Sequence, residues 1–226
     1  MRLIVRVYLG RRLFKVTGRE RMPLSGGVLV CSNHASTVDV ALVPAYLPRF
    51  DSWSMSKAEN FDHLLAGLYW HYQAFPVVRH TADRGAIRRS LEILNDEVLI
   101  IYPEGYRVPE GGLRVAEPGV GFLARTSGAV VQPVALVGTR DCFPPRARWP
   151  RRVPVEIRFG PPFRIRERRP DGSRVGNQEA ADAVMLAIAE QLPVEMRGVY
   201  ADLGGLRERL RGVFEPAETS PGKRPS

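Results

Sequence analysis

Residues 28–43 read VLVCSNHASTVDVALV. Two apolar runs, Val28–Cys31 and Val40–Val43, flank a polar loop that contains Asn33, His34 and, five residues after the histidine, Asp39. The first run is short and uninterrupted, which suits a strand buried on both faces. The second follows Ser36, a good N-cap, and predicts a helix over 39–47 that ends at Pro48. A strand that leads through a polar loop into a helix is the building unit of α/β sheets.

The same alternation runs along the chain. FKVTG and RMPLSGG form a turn-punctuated approach to the strand at 28–32. Further helices are expected over 56–70, 83–95, 118–127 and 177–192. Further strands are expected over 74–79, 97–103, 129–138 and 153–163. In 83–95, Ile87, Leu91 and Leu94 share one helical face with arginines opposite; in 177–192, Ala181, Val184, Met185, Ile188 and Leu192 do so. Several strands are continuously apolar. The pattern predicts an α/β fold with a mixed, largely parallel sheet flanked by helices, built as one domain over 15–212. Residues 1–14, MRLIVRVYLGRRLF, form either an interfacial amphipathic helix with its arginines at headgroup level or a short helix packed on the domain. Residues 213–226 carry no apolar pattern beyond their start and are expected to be disordered.

Composition narrows the function classes. The 226 residues are 44% hydrophobic, enough for a proper core. Cys31 and Cys142 stand far apart, without metal-ligand spacing, which argues for a reducing compartment and against a disulfide scaffold. The N-terminus shows no uninterrupted apolar core with a cleavage site, so no secretory signal is expected. No run approaches the roughly 20 apolar residues of a spanning helix. The net charge of +9 comes almost entirely from arginine. Such a surface suits nucleic acid, an anionic membrane or an anionic substrate, and it also follows from an arginine-rich genome. The arginines are spread along the chain, and no helix-turn-helix, zinc or RNA-binding aromatic motif accompanies them. No nucleic-acid partner is expected.

Two readings of the opening loop remain open on the residues alone. Ser36-x-x-Asp39 is a capping-box spacing, with His34 as an ordinary loop residue. Alternatively Asp39, in the first helical turn, reaches back to one imidazole nitrogen and leaves the other free to accept a proton. The helix N-terminus disfavours imidazolium and Asp39 favours it, so a neutral base near pH 7 is expected. No nucleophile elbow surrounds Ser32 or Ser36. Such a pair suits direct deprotonation of a substrate hydroxyl.

Further segments carry a resemblance. Asn33-His34 to Asp39, Phe75-Pro76-Val77-Val78-Arg79, Tyr102-Pro103-Glu104-Gly105-Tyr106-Arg107 and Val131-Gln132-Pro133-Val134 stand in the order and spacing of four motifs. The sequence resembles the 1-acylglycerol-3-phosphate O-acyltransferase family of glycerolipid acyltransferases from about residue 16 to 200. Ser56-Lys57-Ala58-Glu59 and Leu192-Pro193 to Gly198-Val199-Tyr200 extend the likeness. The resemblance implies acyl transfer from acyl-CoA or acyl-carrier protein to a hydroxyl of a lysophospholipid, with 1-acyl-glycerol-3-phosphate giving phosphatidate as the first reading. It implies His34 as general base and Asp39 as its orienter, with no metal and no cofactor beyond the acyl donor. Arg79 and Arg107, with Lys57, are expected to hold the acceptor's phosphate, and Glu104, Gly105 and Tyr106 to shape its pocket. Apolar surface near helix 39–47 is expected to take the acyl chain. The implied location is cytoplasmic, peripheral on the inner face of the cell membrane, among its lipids. Tyr106 replaces the usual small hydroxyl residue. Gln132 and Pro118 also depart from the pattern. These point to another acceptor, such as a glycolipid, an aminoacyl lipid or a different lysophospholipid; a rival of another class is a non-catalytic lipid-binding relic, against which the intact His34 and Asp39 speak.

Overall fold

The computed structural model describes residues 14–61, 73–78, 83–108, 110, 112–144, 147, 149 and 151–217. Its strands are β1 (Phe14–Thr17), β2 (Val28–Ser32), β3 (Ser52–Lys57), β4 (Ala74–Val77), β5 (Val98–Ile101), β6 (Val130–Val137), β7 (Val155–Phe159), β8 (Phe163–Ile165) and β9 (Phe214–Pro216). Its helices are α1 (Asp39–Tyr46), α2 (Arg84–Ile93), α3 (Pro118–Ser127), the single turn α4 (Thr139–Cys142), α5 (Asn177–Ala189) and α6 (Leu203–Arg209).

One sheet in the order β1-β7-β6-β2-β5-β3-β4 organises these elements, and β8 pairs with β6 and β9. β6, β2, β5, β3 and β4 are mutually parallel, whereas β7 and β8 run antiparallel to β6. The expected mixed, largely parallel sheet is thus present, with helices on both faces. The alternation of side chains explains why continuous apolar runs suit it. Leu29 and Cys31 of β2, Leu99 and Ile101 of β5, and Val131 and Ala135 of β6 join the core under α2, α3 and α5. Val28 and Val30, Val98 and Ile100, and Val134 and Leu136 join the opposite core with Val43 and Leu47.

Several boundaries differ from expectation. Residues 52–57 form β3, paired with β4 and β5, and Ala58–Phe61 forms a 3-10 turn, so the helix expected from 56 does not begin there. The alternation of Trp53 and Met55, both packed on the core, is the signal of this strand. The expected strand over 153–163 breaks at Gly160-Pro161-Pro162 into β7 and β8. Opposite the break lies Pro133, which has no N–H for a central strand. Gly160 N donates to Pro133 O at 2.9 Å, and the buried Gln132 amide donates to Gly160 O at 2.8 Å and to Pro133 O at 3.1 Å. Gln132 therefore bridges a bulge that a valine leaves open. The ordered domain also extends past the expected boundary at 213: Val213 is fully buried, and β9 pairs with β8. The segment expected to lie at an interface, apart from Phe14, lies outside the described residues, as do Arg79, residues 62–70 and the tail after 217.

Because β2, β3, β4, β5 and β6 are parallel, the loops after them gather along one edge. This carboxyl edge is where open α/β sheets bind ligands.

Candidate active site

Asn33 fixes the start of the loop after β2. Its side-chain amide donates to Leu136 O at 3.0 Å, and its Oδ1 accepts from Leu136 N at 2.8 Å. The side chain takes the place of a backbone rung between β2 and β6 and holds the next residue, His34, beyond the ladder.

His34 and Asp39 meet. Nδ1 lies 2.9 Å from Asp39 Oδ2; the carboxylate is fully buried and the imidazole 12% exposed. The same Oδ2 accepts from Ala35 N at 2.8 Å and Ser36 N at 2.7 Å. The capping contact and the histidine contact therefore coexist on one oxygen. Ser36, however, caps nothing with its hydroxyl, which donates instead to Phe143 O at 3.0 Å; Val38 occupies the N-cap position. A carboxylate oxygen can only accept, so Nδ1 carries the shared hydrogen, and in the neutral ring Nε2 holds the lone pair. Nε2 makes no hydrogen bond among the described residues. An imidazole held this way can take up a proton at Nε2. Asp39 Oδ1 is buried and has no hydrogen-bond partner among the described residues.

The loop after β5 covers the pair. The ring of Tyr102 stacks on the imidazole with centroids 4.2 Å apart and planes at 25°. Its hydroxyl is buried and unpartnered; burial first, and then the Asp39 charge, push it well above the ordinary phenol range. Burial and the Asp39 charge also raise the Cys142 thiol. Tyr102 stood in the sequence only as the first letter of a motif, and nothing in its spacing signalled the stack.

Glu104 is 1% exposed and turned inward. Oε2 accepts from Arg114 N at 2.9 Å, and Oε1 accepts from His34 N at 3.4 Å. Val108 N donates to His34 O at 2.7 Å, so the two loops are sewn together on both sides of the histidine. Burial raises the Glu104 carboxyl, while the Arg114 and His34 N–H groups oppose that shift. Gly105 has φ +73°, and an added Cβ there meets Glu117 Cγ at 3.2 Å. Glycine is the residue that takes this conformation at little cost.

Arg107 is exposed, and its guanidinium donates to Thr37 Oγ1 in the histidine loop. Tyr106 points outward at 47% exposure. Lys57 is exposed at the C-terminal end of β3, on the same edge. Arg79 lies outside the described residues. The structure thus brings His34, Asp39, Glu104, Gly105, Tyr106 and Arg107 into adjoining loops. Among the described residues no group of three or more His, Cys, Asp or Glu is placed to hold a metal ion.

A family model described as "Acyltransferase" matches residues 13–137, over half of the chain. The 1-acyl-sn-glycerol-3-phosphate acyltransferase of Bacillus subtilis (strain 168) is 26% identical over 113 residues. That match takes in 46% of this chain and 57% of the relative, so the chain spans little more than half the length of its curated relative. The crystal structure of the 1-acyl-sn-glycerophosphate (LPA) acyltransferase PlsC from Thermotoga maritima superposes with a TM-score of 0.61. It is 23% identical and covers 78% of this chain and 70% of its own, a likeness of fold.

Proposed function

Given that the chain belongs to the Acyltransferase family, we propose that it moves a fatty acyl group from acyl-CoA or acyl-carrier protein to a lysophospholipid hydroxyl. The first acceptor is 1-acyl-glycerol-3-phosphate and the product phosphatidate. The observation that carries this reading is the His34–Asp39 pair, 2.9 Å apart, with Asp39 fully buried.

In this mechanism Nε2 of His34 takes the acceptor's hydroxyl proton as that oxygen attacks the thioester carbonyl carbon. A C–O bond forms. The tetrahedral species collapses, the C–S bond breaks, and the departing thiolate takes the proton from the imidazolium. Asp39 keeps the ring oriented and compensates the positive charge that forms on it. No acyl-enzyme is required, and no cofactor beyond the acyl donor enters. Arg107 and Arg79, with Lys57, bind the acceptor's phosphate through charge-assisted hydrogen bonds. Glu104 acts from below, by holding the loops of His34 and Arg114, while Gly105 and Tyr106 face the acceptor. The enzyme works at the inner face of the cell membrane as a peripheral protein; no helix of the described residues is long and apolar enough to cross one.

A second reading keeps the chemistry and changes the acceptor, and the exposed ring of Tyr106 favours it. The test is acyl transfer by the purified protein in lipid micelles, with His34→Ala alongside. Turnover of lysophosphatidate by wild type alone supports the first reading. Turnover of only a glycolipid, an aminoacyl lipid or another lysophospholipid supports the second. Failure with every acceptor and both donors overturns both and leaves a lipid-binding relic.

A further inference from the structure

The carboxyl edge carries apolar side chains that face solvent. Trp149 is 74% exposed, and Val40, Val78, Tyr106 and Val115 are 47% to 61% exposed. Each follows the C-terminal end of a parallel strand: Val40 after β2, Val78 after β4, Tyr106 and Val115 after β5, and Trp149 after β6. Val40 adjoins Asp39, and Val115 adjoins Arg114, whose N–H binds Glu104. The apolar residues therefore flank the loops that build the His34 site.

Trp149 lies on the excursion between α4 and β7. Arg151 N donates to Cys142 O at 2.6 Å and closes its base. The bond from Ser36 Oγ to Phe143 O ties that base to the histidine loop. Arg151 and Arg152 are exposed beside it, and the sequence from Arg140 to Arg152 holds five arginines against Asp141 alone. β1 enters the sheet at the same edge, since Phe14 is level with Val155 and the adjacent Glu156 with Val137, the last residue of β6. Arg2, Arg6, Arg11 and Arg12 precede Phe14 in the sequence, outside the described residues.

We propose that this edge is a docking surface for an anionic lipid bilayer, with Trp149 seated at headgroup level and Arg151 and Arg152 on lipid phosphates. The inference rests on the acyl-transfer reading and gives that site its orientation: the His34 edge faces the membrane. Tryptophan suits the interface because it joins a large apolar ring to one N–H donor. Arginine pairs with phosphate in two parallel hydrogen bonds, and a basic surface is drawn to an anionic leaflet. Single apolar side chains on separate loops suit a soft interface that admits each one individually. An acidic protein accounts for the arginines and leaves those side chains without a role.

The experiment uses the full chain with phosphatidylcholine vesicles, with and without phosphatidylglycerol. Wild type is expected to partition onto the anionic vesicles and to show tryptophan quenching by brominated lipid. Trp149→Phe loses most of that quenching, although Trp53 and Trp70 remain. Trp149→Ala and the pair Arg151→Glu/Arg152→Glu each lower partitioning about tenfold or more. Leu24→Ser, on the opposite edge, leaves it unchanged. With a short-chain, water-soluble acceptor, Trp149→Ala keeps wild-type kcat, while its rate on vesicle-embedded acceptor falls. Unchanged partitioning in both variants, unchanged quenching in Trp149→Phe, or no vesicle binding by wild type overturns the proposal. So does loss of acyl-carrier protein binding in the arginine variant with vesicle binding intact, which makes the partner a protein. If no acceptor turns over but the variants still lose vesicle binding, the acyl-transfer reading fails and the docking surface stands.

Discussion

The imidazole of His34 lies face to face with the ring of Tyr102, 4.2 Å between centroids, on the side of the histidine not used by Asp39. The ring and the hydroxyl of Tyr102 make separable predictions. Tyr102→Leu removes the stack, and kcat is expected to fall by up to about tenfold, the size of an aromatic pair. Tyr102→Phe keeps the stack and deletes a buried, unpartnered hydroxyl. Its kcat is expected within about twofold of wild type, and its stability equal or higher, because an unsatisfied buried group costs about 1–3 kcal/mol. Steady-state kinetics and thermal melts of the two variants check both parts.

His34→Ala and Asp39→Asn are each expected to lower kcat about 10²- to 10⁴-fold, the range for a positioned acid–base group. The double variant is expected to lose no more than His34→Ala alone, since an orienter has nothing left to orient. Asp39→Asn also places an amide where Oδ2 takes three donors, so its melting temperature falls as well. Comparison of the single and double variants in kcat isolates the shared role.

Glu104 ties stability to pH. Burial raises its folded pKa above the ordinary 4.5, so the folded state holds the proton more tightly than the unfolded chain. The contribution is fully present below 4.5 and is lost as pH rises through the folded value. Glu104→Gln cannot titrate. Urea unfolding of both proteins from acid to neutral pH is expected to show wild type losing stability relative to the variant across that window. Parallel curves overturn the assignment.

Gly121 lets α3 and α5 touch. A Cβ at this position lies 1.9 Å from Asn177 O and 2.6 Å from Ala181 N, both backbone atoms. Gly121→Ala is expected to destabilise by about 1–3 kcal/mol despite alanine's better helix propensity, because the helices have to separate. A fall in melting temperature with the activity of the folded fraction retained checks this.

Neither thiol is expected to react with a small disulfide reagent in the native state. Cys31 and Cys142 are buried; burial raises the Cys31 thiol far above its ordinary range, and burial with the Asp39 charge raises that of Cys142, which disfavours the thiolate that attacks. Both are expected to react on unfolding; titration with and without denaturant measures it.

Much of the architecture was legible because buried parallel strands write themselves as continuous apolar runs. VLVCS, VLII and VVQPVALV are strands for that reason. Helix α3 runs over Pro118–Ser127 as expected, opened by a proline at its first position and closed by Gly128 at φ +61°. SWSMSK was not legible. Its half-buried alternation gains meaning only between β4 and β5, whose positions the local sequence does not encode.

The sequence by itself determined which side chains reach the carboxyl edge, because a strand followed by a polar loop delivers its next residues there whatever the neighbours. His34, Asp39, Glu104 and Arg107 are local consequences of β2 and β5. The spacing of residues 34–39 made a His34–Asp39 contact one of two readings, and the tertiary structure decided that it coexists with the capping contact on one oxygen, and what residues of different strands do to each other. Asp39 takes three donors on one oxygen because the loop after β2 folds back over the start of α1. Glu104 turns inward because β5 lies beside β2, which brings the His34 N–H within its reach. Tyr102 finds the imidazole for the same reason. The Glu104 and Tyr102 contacts depend on strand order, and strand order is set by the packing of the whole sheet.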